Sequence, residues 1–351
     1  MNMGNPWLSV IIPSHNDQRW LGAALRSLVD QNDSGIEVIV IDASATDANL
    51  RIVSGFSEQL NIWARRRLDL SSWAEKANFA VEQARADRIC ILHPDDLWLP
   101  NRCAKLRKWL ATQSDSVMHL HPSYFIDESG RRLGLWQCPL PDQQSPVEPS
   151  ILFERLLVQN FIAVPGPTIR RDAFLKVGGM DSHLWHTTDW DLYFKVASVG
   201  NVYYHSCPLA CYRLHKTSLG MQGIRAIDDF RKQYEIVMDR HLEKVSPARR
   251  NETLRLARAS INVNVALAAG VSGNVAPMGK ALASVLALGP RGIYRYLFYS
   301  RIFERTFSRV RALVTDECDR RYCWTRVAPE PCRERRRGQK RRSAALACSG
   351  V

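Results

Sequence analysis

Four short apolar runs alternate with three amphipathic stretches in the first 93 residues, and this alternation constrains the fold more than any other feature. "WLSVIIP" (7–13), "IEVIVID" (36–42), "LNIWA" (60–64) and "RICILH" (88–93) are strand-like runs of branched and aromatic residues. Between them, "QRWLGAALRSLVDQ" (18–31) places Leu21, Ala24, Leu25 and Leu28 at helical spacing, and "TDANLRIVSGF" and "SSWAEKANFAVEQAR" supply two further helices. A β-α alternation of this kind predicts an α/β fold: a Rossmann-like, mostly parallel sheet with helices on both faces.

Pro100 is expected to open a helix, since proline suits the first helical turn. "SVMHLHPSYFID" (116–127) and "RRLGLWQ" (131–137) read as two strands of a hairpin, followed by a Pro- and Gln-rich loop over 139–150 and a helix near 150–159. "PGPTIRRDAFLKVGGMD" gives a strand, a short helix and a Gly-Gly turn. "TTDWDLYFKVASVG" (187–200) is a helix with Thr187 or Thr188 as N-cap and Asp189 in its first turn. "NVYYHS" and "LACYRLH" close this part as short strands. From about residue 222 the pattern is helical only, so the expected organisation is an α/β unit over 1–220, a helical C-terminal region over 221–315 and a basic, disordered tail over 316–351. "GIYRYLFYSRIFERTFSRVRALV" (292–314) reads as one basic amphipathic helix that either packs on the domain or docks on a membrane surface.

With 46% hydrophobic residues in 351, the chain can fill a sizeable core. No stretch approaches the roughly 18 apolar residues of a membrane span, and no basic-then-apolar export signal is evident, so a cytoplasmic protein is expected, with contact at the inner face of the cytoplasmic membrane the option the basic helix opens. Nine scattered cysteines fit reduced thiols, and the spacing of Cys318, Cys323, Cys332 and Cys348 matches no zinc pattern. Of the net charge of +13, residues 317–351 contribute ten Lys/Arg against four Asp/Glu. "RERRRGQKRR" has no interleaved aromatics and no nucleic-acid-binding module accompanies it, so no nucleic acid is expected as partner.

In an open parallel sheet, ligands bind beyond the C-terminal ends of the strands. There the chain carries Pro13, Ser14, His15 and Asn16; then Asp42, Ser44 and Asp47; then His93, Asp95 and Asp96. Any one of these clusters could be turn or cap chemistry, but three of them, at the ends of the first, second and fourth strands, indicate a site. Neither G-x-x-x-x-G-K-[ST] nor G-x-G-x-x-G occurs. A nucleotide's phosphates would therefore need neutralising otherwise, and a divalent cation shared with carboxylates does this.

"VIIPSHN", "VIDASATD", "HPDDLWLP", "GGMD", "TTDWDLYFKVA" and "YRLHKTS" occur in the order and near the spacing of family 2 glycosyltransferases, and residues 7–218 resemble that family. The resemblance implies a GT-A fold and an inverting, metal-dependent transferase using Mn²⁺ or Mg²⁺. It implies that Pro13, His15 and Asn16 wall the nucleotide pocket, that Asp42 with Ser44 meets the base, and that Lys76 and Asn78 face the donor. Asp95 and Asp96 are implied to hold metal and ribose, with His215 helping at the metal or diphosphate, and Asp189 to be the catalytic base. Asp47 looks like a helix-start residue. The donor is expected to be a nucleoside-diphosphate sugar, UDP-linked above all, and the acceptor a hydroxyl of a saccharide or lipid-linked glycan in cell-surface polysaccharide synthesis. A basic C-terminal helix would suit an acceptor in an anionic membrane.

Asp189 near a helix N-terminus is expected to be ionised at neutral pH, as a base must be. Three positions depart from the family pattern. His93 stands where relatives often have an acid, Thr188 where they have Glu, and Ala43 where they have Asp or Gly. The alternative is a non-catalytic nucleotide-sugar-binding protein on the same fold.

Overall fold

A computed structural model of the chain describes residues 5–215, 227–271 and 273–318, with side chains to residue 312. In chain order the elements begin with β1 (Leu8–Ser14), α1 (Leu21–Val29), β2 (Ile36–Asp42), α2 (Ala48–Ser54), β3 (Asn61–Arg66), α3 (Trp73–Gln83), β4 (Arg88–Ile91), β5 (Leu97–Trp98) and α4 (Arg102–Thr112). There follow β6 (Ser116–Leu120), β7 (Ser123–Ile126), β8 (Arg132–Trp136), α5 (Pro149–Val158), β9 (Thr168–Arg170), α6 (Arg171–Lys176), α7 (Thr188–Ala197), β10 (Asn201–Tyr204) and β11 (Ala210–Arg213). The remainder is helical: α8 (Ile227–His241), α9 (Pro247–Val271), α10 (Pro277–Leu286), α11 (Gly289–Ser300) and α12 (Ile302–Cys318).

Every residue of β1, β2 and β4 is buried, because helices cover both faces of the sheet; this is why these strands read as near-continuous apolar runs and not as alternating ones. Seven strands form the main sheet in the order β10-β6-β9-β4-β1-β2-β3. All neighbours pair in parallel except β9, which runs antiparallel to β4 and β6. The chain winds outward from β1 to β3 and then returns to place β4 on the other side of β1. The order of connection thus reverses between β1 and β4, and the strands' C-terminal ends at such a switch point are where open α/β sheets bind ligands.

A second sheet, β5-β11-β7-β8, flanks that edge. The stretch 116–127, expected as one strand, is two: β6 stays in the main sheet and the chain crosses at His121–Pro122 into β7. Pro122 has no N–H to continue a ladder, so a sheet change there leaves no donor stranded. The β7–β8 hairpin is present; its turn is held by Asp127 Oδ1, which accepts from the Ser129 and Arg131 amides at 3.0 and 2.8 Å. The helix expected to open at Pro100 begins instead at Arg102, after Asn101 in a left-handed conformation (φ 65°).

The helical part is not a free appendage. Phe230, Tyr234 and Val237 of α8 and Ile261 and Val265 of α9 share one apolar core with the sheet. Residues 292–314, expected as one helix, are α11 and α12, broken at Arg301 in the left-handed region (φ 49°). The apolar spacing runs through the break without a Gly or Pro to mark it. α12 lies on β8: Arg311 Nη1 donates to the Leu133 carbonyl (2.7 Å), and a Cβ on Gly134 would come within 2.5 Å of Ser308 Oγ. Among the described residues no helix is long and apolar enough to cross a membrane. The tail beyond 318 lies outside the described residues.

Candidate functional site

The C-terminal ends of β1, β2 and β4 gather most of the residues singled out above. Ser14 and Asp42 are register partners at the ends of β1 and β2. Asp42 is fully buried; its Oδ1 accepts from Ser44 Oγ (2.7 Å) and Asn49 Nδ2 (3.0 Å), while Oδ2 has no partner among the described residues. Ser44 Oγ in turn accepts from the Asn16 amide at 2.8 Å, and Asn16 holds a left-handed conformation (φ 57°) that Asn tolerates better than most residues. His15 stays exposed, with Nδ1 3.0 Å from the Ala43 carbonyl. Pro13 is buried within β1, pairing in register with Ile41. The two loops are therefore one hydrogen-bonded unit with an unused carboxylate oxygen. Asn49, on α2, is its hub and carried no distinguishing sequence signal.

Lys76 enters the same edge from α3, a helix started by a capping box between Ser72 and Glu75. It is 3% exposed and its Nζ donates to the Ser14 carbonyl at 3.1 Å. Burial lowers its pKa, against which the charges of Asp17 and Asp42 act. Asp17, which sequence reasoning passed over, accepts from the His15 amide at 2.6 Å, and burial raises its pKa. Asn78, expected to face the donor, does not: both ends of its amide bind the Met180 backbone at 2.8 Å, clamping the turn formed by Gly178 (φ 78°) and Gly179 (φ 64°). Asp47 precedes α2 and pairs with Arg66, in keeping with a helix-start residue.

Beyond β4, one ligand atom each of His93, Asp95 and Asp96 lies within 4.8 Å of the others. Asp96 is 1% exposed; its Oδ1 accepts from the Arg213 amide (2.9 Å) and its Oδ2 has no partner. Burial and then the adjacent Asp95 charge push its pKa well above the usual carboxylate value. Asp95 is half-buried, and desolvation raises its pKa, but the His215 hydrogen bond (2.7 Å to Oδ2) and the nearby His93 outweigh that and hold it low. His93 keeps Nε2 buried and unpartnered, and burial lowers its pKa, so its lone pair is available. Two unsatisfied ligand atoms beside a pair of like charges fit a divalent cation, and an oxygen-rich set with one imidazole suits Mn²⁺ as well as Mg²⁺. His93 thus stands inside the cluster.

Arg213 was missed by sequence reasoning, although an arginine inside the strand-like run "LACYRLH" was a visible anomaly. It is 3% exposed, and its guanidinium donates to the backbone carbonyls of Asp95 (2.7 Å), Asp127 (2.7 Å) and Glu128 (3.0 Å). It ties the acidic loop to the second sheet.

Asp189 and Asp191 lie on different faces of α7. Asp189 accepts from Asn160 Nδ2 at 2.9 Å and is 8% exposed. Burial raises its pKa to about 6, against the pull of the Trp190 amide and Asn160; the helix terminus does not dominate, contrary to the sequence expectation, yet the group is still mainly ionised at neutral pH. A carboxylate with a pKa just below the working pH has the properties of a general base. Asp191 instead meets His241 (2.9 Å), Lys195 (2.9 Å) and Arg240 (3.5 Å) and locks α8 to α7. Neither Thr187 nor Thr188 caps α7 through its side chain: Thr187 is the N-cap residue without such a bond, and Thr188 Oγ1 is buried and unpartnered.

Residues 9–179 match the family described as Glycosyl transferase family 2. An uncharacterized glycosyltransferase of Haemophilus influenzae is 27% identical over 196 residues, covering 54% of this chain and 61% of that protein's length. One from Rickettsia typhi is 23% identical over 246 residues, covering 70% and 74%. Among solved structures, S. aureus TarS 1–349 in complex with UDP-GlcNAc superposes with a TM-score of 0.60 at 16% identity, over 89% of this chain and 92% of that one. A mannosyltransferase from Pyrobaculum calidifontis, in complex with GDP-Man and Mn²⁺, gives a TM-score of 0.51 at 16% identity, over 91% and 89%. The structural likenesses speak to the fold, which is GT-A, and the sequence match with the six ordered motifs makes residues 9–179 of this chain similar to glycosyl transferase family 2.

Proposed function

We propose that the protein transfers a sugar from a nucleoside-diphosphate donor to a hydroxyl group with inversion at the anomeric carbon. The observation that carries this reading is the presence of an acidic cluster with free ligand atoms after β4 and a separate buried carboxylate, Asp189, with its pKa raised to about 6, both near enough for their charges to act on the Tyr212 hydroxyl. In this reading Asp42 and Ser44, with Pro13, His15 and Asn16, hold the nucleoside at the β1 and β2 ends, and the unused Asp42 Oδ2 accepts from the base. Lys76 supplies positive charge beneath the same loops.

Asp95 and Asp96, with His93, would hold a divalent cation, and His215 fixes Asp95. When bound, that ion supplies Lewis-acid stabilisation of charge on the departing diphosphate. Asp189, oriented by Asn160, takes the proton of the acceptor hydroxyl as the oxygen attacks the face opposite the leaving group. UDP-sugars are the proposed donors; the complexes of TarS with UDP-GlcNAc and of the mannosyltransferase with GDP-Man support a nucleoside-diphosphate sugar in this fold. The proposed acceptor is a saccharide or lipid-linked glycan of the cell surface.

A thermal-shift panel of UDP-, GDP- and dTDP-sugars with and without Mn²⁺ tests the donor assignment. Selective, metal-dependent stabilisation by one base supports it. A flat panel across all donors would overturn it.

A further inference from the structure

Two arginines of α12, Arg305 and Arg309, point inward and have no carboxylate partner among the described residues. Arg305 is 9% exposed and Arg309 half-buried. Arg305 donates to Asn264 Oδ1 at 3.1 Å and weakly to the Ser300 carbonyl at 3.5 Å; Arg309 donates to the Arg305 carbonyl at 3.1 Å. The fields of Tyr234 and Tyr296 act on Arg305, and those of Tyr212 and Tyr234 on Arg309. Glu304, the acid next to them in sequence, is taken by Arg301 and the Gln137 amide. Arg305 is a buried cation with the half-buried Arg309 beside it, and among the described residues neither meets a carboxylate; a buried cation left unpaired is costly, and a bound anion would supply the missing charge.

Their location says which ligand. Arg309 sits over the Phe125 ring (5.8 Å to the centroid); Phe125 meets Tyr212, and the next residue, Arg213, binds Asp96. Arg305 connects to the catalytic candidate through a hydrogen-bond chain: Asn264 donates to Gln159 Oε1 (2.9 Å), Gln159 to the Asn160 carbonyl (3.2 Å), and Asn160 to Asp189 (2.9 Å). His186, bonded to Tyr234 Oη at 3.2 Å, completes the surroundings. The fields of both arginines reach His186 and Tyr234, and Tyr234 also feels Asp189. The pair is thus linked to Asp189 through Asn264, Gln159 and Asn160, and to Asp96 through Phe125, Tyr212 and Arg213.

We propose that Arg305 and Arg309 form an anion subsite for a phosphate or carboxylate group carried by the acceptor, so that the substrate is an anionic glycan or glycan phosphate. Naming the anion as acceptor rests on the transferase reading; the existence of the subsite does not. α12 is held on β8 and the residue after it through Arg311, Ser308 and Glu304, so the inward face of this helix supplies the wall of the subsite.

The test uses the full chain with sulfate as probe, titrated by calorimetry and by thermal shift against chloride of equal ionic strength. Wild-type protein binds sulfate, whereas Arg309→Met and Arg305→Met each weaken it by at least about tenfold, the loss expected for one charge-assisted hydrogen-bonding group. Both variants melt no lower than wild type in chloride, since an uncompensated buried charge has been removed. Sulfate stabilisation that persists at saturating UDP and Mn²⁺ assigns the anion to the acceptor. Sulfate binding unchanged in both variants overturns the subsite, and competition between sulfate and UDP overturns the acceptor assignment in favour of the donor diphosphate. If UDP does not bind at all, the transferase reading fails, while the comparison of variants still decides the subsite.

Discussion

Replacing Asp189 by Asn separates stability from chemistry at a single atom. The carboxyl pKa is raised from 3.8 to about 6 by burial. Above pH 6 the group is ionised in both folded and unfolded chains, and the folded state carries the whole penalty; below pH 4 it is protonated in both and the penalty vanishes. At 1.36 kcal/mol per unit, a shift of about two units is a penalty of roughly 3 kcal/mol at pH 8. An amide keeps the shape and can still accept from Asn160 Nδ2, so Asp189→Asn should raise unfolding free energy at pH 8 by roughly 2–3 kcal/mol and leave it unchanged at pH 4. Urea unfolding at the two pH values measures this directly. The same substitution should lower turnover by about 10²–10⁴-fold, the usual contribution of a general base. Equal stability of the two proteins at both pH values would refute the burial argument.

Other substitutions separate the two acids of "TDWD", the loop tether and the Gly-Gly turn. Asp191→Ala should destabilise by about 3–5 kcal/mol, because it strands His241, Lys195 and Arg240 around a buried site; urea unfolding would show a loss where Asp189→Asn shows a gain. The Asp191 pKa is held at about 2, so its contribution is present above pH 4 and should fade in acid unfolding between about pH 4 and 2. Arg213→Met leaves three backbone carbonyls without their donor and should cost about 2–4 kcal/mol; calorimetry should show nucleotide affinity falling with it as the Asp95–Asp96 loop loosens. Gly179→Ala forces a left-handed alanine and sets its Cβ 2.6 Å from Asn78 Oδ1, for an expected loss of about 1–3 kcal/mol by urea unfolding.

The β-α alternation made the parallel sheet legible because both-face burial writes itself as unbroken apolar runs, and the strand-end rule then located Asp42, Asp95 and Asp96. Two errors share a cause: "SVMHLHPSYFID" and the 292–314 stretch each carry one continuous apolar pattern across a change of direction, and periodicity reports burial, not which sheet or helix a residue joins. Asn78 illustrates a second limit. A polar residue near a site reads alike whether it faces a ligand or clamps a backbone turn, and only the 2.8 Å contacts to Met180 decide. Asn49, Asn160 and Arg213 act through partners 7 to 118 residues away in sequence, a distance over which local spacing carries no information.

The central claim is that one crevice binds a nucleoside-diphosphate sugar and that Asp189 performs the chemistry on it. Release of nucleoside diphosphate from the donor selected by the thermal-shift panel, measured alongside calorimetric donor affinity for wild type and Asp189→Asn in Mn²⁺, tests both halves together. The account predicts donor affinity within about threefold of wild type and turnover reduced at least about 100-fold. Wild-type binding without turnover, or equal turnover in the two proteins, would contradict it.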